Sequence, residues 1–248
     1  MYRVHTVPDG RDRDAAAPPP EAFRQRVPRP VSARRVDPAA DFVWWPDRAT
    51  RCTLAAVRAS FETGAGIGLE GAHQVGAAVL IALADGGDPG SSARIVLIRR
   101  AGHLRANPGE IALPGGWIEP GESALDAALR EAEEEVGLAR SAVAPLGAIA
   151  PVARVTRPQR ILPFVGEVTG ALGLQANPAE VDDVLVIPLV ELADPARYWE
   201  ERWELPDGVL WPMHFFDLGD DLIWGATARI LSEFLDLLGR PAEDAESP

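Results

Sequence analysis

Lysine is missing from this chain of 248 residues; every one of its 24 basic residues is arginine. That absence excludes a lysine nucleophile and Schiff-base chemistry. Cysteine is nearly absent too. Cys52 stands alone, so no internal disulfide framework exists, and a reducing, cytoplasmic setting is expected. No apolar run is long enough for a membrane. The longest, Val75 to Leu83, falls well short of the roughly 20 residues a span needs, and no apolar signal segment opens the chain. Positive charge is in deficit: the net charge of −13 argues against a nucleic-acid partner, whose phosphates demand a basic surface. A small phosphorylated substrate is not excluded, because clustered acids can hold cations that then meet phosphates.

The remaining sequence is that of a globular protein, 47% apolar and long enough to bury a core. Residues 1–40 contain Pro18-Pro19-Pro20, further prolines and scattered charge without apolar periodicity, and are expected to form a disordered Pro/Arg-rich arm. Within it, the Arg24 to Arg35 stretch is a candidate contact for an anionic partner. Residues 41–240 are expected to hold one folded domain, and residues 241–248 an acidic tail. Leu54 to Phe61 has helical spacing. Val75 to Leu83 and Ile95 to Ile98 read as strands joined by a hairpin loop. Leu146 to Ala153, Arg160 to Val168, Val184 to Leu189 and Val209 to Asp217 are strand-like, and Ala226 to Leu238 is a second amphipathic helix. Strands flanking helices in this way predict an α+β domain with helices on both faces of a sheet.

The chemistry is concentrated in Gly115 to Leu138, GGWIEPGESALDAALREAEEEVGL. Ser123 is a good N-cap, with Asp126 three residues on, and Gly137 suits a left-handed C-terminal cap, so the helix is bounded at both ends. At roughly 100° per residue, Leu125, Leu129, Ala132 and Val136 share one side. Glu131, Glu134 and Glu135 gather nearly opposite, and like charges at this spacing repel. An acidic helix face can simply be a solvated surface. It can also hold a cation, and carboxylates are hard ligands suited to Mg²⁺ or Mn²⁺.

The surrounding pattern decides between these. Gly116, Glu122 and the run Arg130-Glu131-Ala132-Glu133-Glu134-Glu135-Val136-Gly137-Leu138 fill all nine defined positions of a 23-residue motif that resembles the Nudix box. The resemblance implies a Nudix-type α/β/α sandwich with a mixed central sheet, and a diphosphatase. It implies Glu131, Glu134 and Glu135 as metal ligands and catalytic residues, Glu122 and Arg130 as a buried structural ion pair, and Gly116 as the place where backbone approaches the metal or the chain turns.

Just upstream, Val96 to Gly116 (VLIRRAGHLRANPGEIALPGG) resembles the signature of the coenzyme A pyrophosphatase branch. It does so through Arg100-Ala101, Arg105, Gly109 and Pro114-Gly115-Gly116; Ile98 and Leu113 stand where that branch has threonine and phenylalanine. Asn177-Pro-Ala-Glu180-Val181, Ile187-Pro188-Leu189 and Ile223 to Ile230 are similar to the same branch, so the likeness covers about residues 70–238. It implies cleavage of coenzyme A into 4′-phosphopantetheine and adenosine 3′,5′-bisphosphate. Arg100 and Arg105 then read as phosphate contacts, or as partners of acids such as Glu110 and Glu119. Glu180 reads as a further ligand or base, or as an exposed loop acid. Alternatives are a Nudix hydrolase acting on ADP-ribose or another nucleoside diphosphate derivative, and a non-catalytic ligand sensor. His103 reads as a solvated loop histidine, and the tryptophans as packing, with Trp117 notable for its place in the box loop.

Overall fold

The computed structural model describes residues 3–4, 27–36, 47–64, 66–67, 75–88, 90–154 and 157–239. In chain order the elements are β1 (Arg3–Val4), β2 (Arg34–Val36), α1 (Arg48–Arg51), α2 (Leu54–Glu62), β3 (Val75–Ala84), β4 (Arg94–Arg100), β5 (Ile111–Ala112), β6 (Gly115–Trp117), α3 (Ala124–Val136), β7 (Val143–Ala148), β8 (Val152–Arg154), β9 (Arg157–Val168), β10 (Val181–Pro188), α4 (Leu189–Leu192), β11 (Tyr198–Glu204), β12 (Leu210–Asp217), β13 (Leu222–Trp224) and α5 (Gly225–Gly239).

The central sheet runs β1-β10-β4-β3-β9-β7, with β5 on β4, β6 on β3 and β8 on β9. It is mixed: β1–β10 and β3–β9 are parallel, and the other pairs antiparallel. The expected hairpin of β3 and β4 is paired only at its base, through Leu83–Ile95 and Ala84–Arg94. Beyond that the two strands part. β6 takes the freed edge of β3 and β5 that of β4, so the segment linking them is inserted between two core strands. This splaying positions the site.

Alternation along the buried strands splits the core in two, as side chains of successive strand residues must. Val79, Ile81, Leu83, Ile95, Leu97, Leu185 and Ile187 join Leu54 and Val57 of α2 and Ile230, Phe234 and Leu235 of α5. Leu80, Ala82, Val96, Ile98, Val184 and Val186 join Ala127, Ala128, Ala132 and Val136 of α3. Helices therefore cover both faces, the α+β sandwich the sequence predicts. Cys52 is fully buried, and burial pushes its thiol up to about 12, which makes it inert. Among the described residues no helix is long and apolar enough to cross a membrane.

A second, antiparallel sheet, β13-β12-β11-β2, was not foreseen beyond β12. Tyr198, Phe216 and Ile223 join the α5 core, while Val27, Trp199, Trp203, Met213, Phe215 and Leu222 form a cluster of their own. This corrects the expectation of a disordered arm for its described parts. Arg3–Val4 pair with β10, Arg34–Val36 pair with β11, and Val27 is buried. Arginine stems can cover aromatic rings, and Arg35 lies over Trp199 at 5.6 Å from the ring centre. The rest of residues 1–40, along with Trp44, Trp45, His73 and the tail 241–248, lies outside the described residues.

Candidate metal and phosphate site

Helix α3 is bounded as its sequence predicts. The Ser123 hydroxyl accepts the Asp126 N–H at 3.1 Å, and Gly137 takes the left-handed conformation at φ 68°. Its orientation differs from expectation. Leu125 and Leu129 are only half-buried, while the buried stripe is Ala127, Ala128, Ala132, Val136 and also Glu135, 1% exposed. Small alanines let the helix lie close to β3 and β6, and that approach draws Glu135 beneath the surface.

Glu131, Glu135 and Glu180 each offer an oxygen within 4.8 Å of the others. The first two come from adjacent turns of α3, and Glu180 from the turn that precedes β10. Gly115 donates its N–H to Oε2 of Glu135 at 2.9 Å. A Cβ on Gly116 would collide with the Glu131 carboxylate, so glycine is what admits that side chain against the β6 backbone. Glu134 stands apart: its side chain is 55% exposed and accepts from Nη1 of Arg130 at 3.1 Å.

The group is short of positive charge. Burial raises the Glu135 carboxyl to about 8; the Gly115 amide and Arg100 oppose the shift, and Glu131 and Glu180 add to it. Burial raises Glu131 as well, with Arg130 pulling the other way. Arg100 stays at 4.0 Å from Oε1 of Glu135, too long for a hydrogen bond, and its buried Nε has no partner. Hard oxygen donors gathered this closely around a buried carboxylate fit a divalent cation.

Arg130 braces the loop to the helix. It donates Nε to Oε1 of Glu122 at 2.9 Å, Nη2 to Oε2 of Glu122 and to the Trp117 carbonyl at 3.1 Å each, and Nη1 to Glu131 at 2.9 Å. The fork holds the Glu122 carboxyl below its usual range. Trp117 itself is 47% exposed. Arg105 is exposed on the loop between β4 and β5 and, among the described residues, has no partner. On the same loop, burial raises Glu110 to about 7 against the pull of Arg100.

Sequence reasoning did not assign three supports of the site. These are the Gly115 amide, the Asn177 turn under Glu180, and Asp221, which holds Arg99 through two bonds of 2.6 Å and so anchors β4 from the second sheet. The first is a backbone atom and the last is long-range, so no local pattern marks either. An Asn-Pro turn signal ahead of β10 was the one available hint.

Comparison with known proteins shows the family. The NUDIX domain family matches residues 72–209. The Uncharacterized Nudix hydrolase NudL of Yersinia enterocolitica (serotype O:8 / biotype 1B) is 38% identical over 157 residues, 62% of this chain and 77% of that protein. Its namesake from Escherichia coli (strain K12) is 34% identical over 175 residues, 66% of this chain and 82% of its own. Among solved structures, a Nudix hydrolase from M. Smegmatis, RenU, is 25% identical over 52% of this chain and 81% of that one, with a TM-score of 0.41.

Proposed function

The chain belongs to the NUDIX domain family, and from that premise we propose that it is a Mg²⁺- or Mn²⁺-dependent diphosphatase of coenzyme A or its derivatives, releasing 4′-phosphopantetheine and adenosine 3′,5′-bisphosphate. The observation that carries the metal-dependent part is the convergence of Glu131, Glu135 and Glu180 within 4.8 Å. The substrate rests on the likeness of residues 96–116 to the coenzyme A branch. It is helped by the exposed Arg105 and by Arg100, whose Nε, like Arg105, has no partner among the described residues. Guanidinium forks match phosphate oxygens, and a diphosphate flanked by a 3′-phosphate offers several.

Glu131, Glu135 and Glu180 would hold the cation, and Glu134, one turn along on α3, would be the further box carboxylate available to it. When bound, the cation neutralises charge on the diphosphate and acidifies the attacking water. The protein positions the rest. The Gly115 amide fixes Oε2 of Glu135, leaving Oε1 for the site. Arg130 locks the box loop onto α3, and Gly116 keeps the Glu131 carboxylate against β6. Arg100 and Arg105 orient the substrate by its phosphates. The single buried cysteine is in keeping with a reducing, cytoplasmic location.

Product analysis after incubation with Mg²⁺ or Mn²⁺ and, separately, coenzyme A, ADP-ribose and a dinucleoside tetraphosphate tests the reading. Metal-dependent release of adenosine 3′,5′-bisphosphate is the expected result. Cleavage of another substrate alone would replace coenzyme A, and tight binding without cleavage would make the protein a sensor.

A further inference from the structure

Glu180 reaches the carboxylate group on a short turn, residues 177–180, which is held from two sides. On one side Asn177 ties it to α3. Its N–H donates to the Glu135 carbonyl at 2.9 Å, its Oδ1 accepts the Ala179 N–H at 3.1 Å, and its carbonyl accepts the N–H groups of Glu180 and Val181 at 3.0 and 2.8 Å. On the other side three successive residues after β4 clip onto it and onto the start of β10. Ala101 donates its N–H to the Glu180 carbonyl at 2.8 Å, Gly102 donates to Oδ2 of Asp182 at 2.9 Å, and Nε2 of His103 lies 3.1 Å from the Ala179 carbonyl.

A carbonyl oxygen can only accept, so Nε2 of His103 carries hydrogen. The donors of Ala101 and Gly102 are backbone and would survive any side-chain change. The His103 imidazole is the donor that depends on residue type. We propose that His103 is a positioning residue: its Nε2–H holds the 177–180 turn, and with it Glu180, at the separation from Glu131 and Glu135 at which the three accept one cation. This rests on the metal-binding reading of those acids given above.

The test is a titration of Mn²⁺ into the metal-free full-length protein, with free ion read by electron paramagnetic resonance, on the parent, His103→Leu, His103→Gln and Glu135→Gln, with a thermal melt of each. The His103 bond is exposed to water, so its loss is modest. His103→Leu is expected to weaken Mn²⁺ binding by about threefold to tenfold, with a melt close to the parent's. His103→Gln, which keeps an N–H donor of similar reach, is expected to bind nearly as the parent does, and Glu135→Gln to bind far more weakly than either. Parental affinity in His103→Leu beside weak binding in Glu135→Gln overturns the positioning role and leaves the metal reading intact. Equal weakening in both His103 variants also overturns it, because the ring and not its N–H would then matter. Parental affinity in Glu135→Gln removes the metal reading and this inference together.

Discussion

Glu135 in the central sheet's site and Glu201 in the second sheet are both buried carboxylates, 1% and 2% exposed, and their surroundings are opposite. Glu201 receives donors on both oxygens: Nε and Nη2 of Arg29 at 2.8 Å each, the Trp199 indole at 3.1 Å and the Trp203 indole at 2.8 Å. Glu135 receives one backbone amide, stands 4.0 Å from Arg100 without a hydrogen bond, and faces two further acids. A buried carboxylate whose partners are complete is part of the framework. One left short of partners among like charges is waiting for something the chain does not supply.

Substitution should separate the two sharply. Glu135→Gln is expected to lower turnover by a factor on the order of 10² or more, while the metal-free protein melts at or above the parent temperature because a buried acid short of partners has been replaced by a neutral amide. Steady-state rates with a saturating divalent ion, beside a melt, check this; a parental rate would place Glu135 with Glu201 in the framework. Glu201→Ala should do the reverse, costing about 2–3 kcal/mol of stability by denaturant titration, with activity per folded molecule preserved. That is less than for a fully buried pair, because Arg29 is one-third exposed. Next comes Gly116→Ala. The clash is with the far end of a flexible side chain, so the Glu131 carboxylate should swing aside, with loss of Mn²⁺ affinity and little loss of stability.

The smallest effect is in pH dependence, where the two regions should show opposite slopes. Glu135 is raised to about 8, so its contribution to metal-free stability is full below the unfolded carboxyl pKa of about 4.5 and is lost as pH rises through about 8. Glu110, raised to about 7, adds to the same slope. In the second sheet, burial pushes His214 down to about 3, with Arg229 and Arg202 adding to the shift. Its contribution is full above the unfolded value of about 6.5 and is lost as pH falls towards 3. Melts across this range on Glu135→Gln and His214→Phe should flatten one slope each; a variant that flattened both would mean the regions are coupled.

The same contrast explains what was legible in the sequence. Helix α3 could be bounded to the residue because its caps, Ser123 and Gly137, act locally, and the box glutamates could be named because they follow one another on that helix. The hydrophobic strands β3, β4, β9 and β10 announced themselves by β-branched runs. Of the second sheet only β12 did. Tyr198–Glu204 reads YWEERWE, and only its partners reveal that Glu201 belongs inside, between two indoles and an arginine 172 residues away. The burial of Glu135 was misjudged for a related reason. A helical wheel gives relative angles but not which sector meets the sheet, and the close approach of the alanines to β6 set that rotation.

The bond from Arg29 to Glu201 also fixes an order of events during synthesis. Arg29 and β2 leave the ribosome 172 residues ahead of the strand that receives them. At about 5–20 residues per second, this part of the nascent chain waits on the order of ten to thirty seconds without its partner. The parallel pairing of Arg3–Val4 with β10 imposes a similar delay. The early strand of the second sheet must therefore stay unpaired and unaggregated through that interval. Its arginines, repelling one another until Glu201 arrives, suit it to wait.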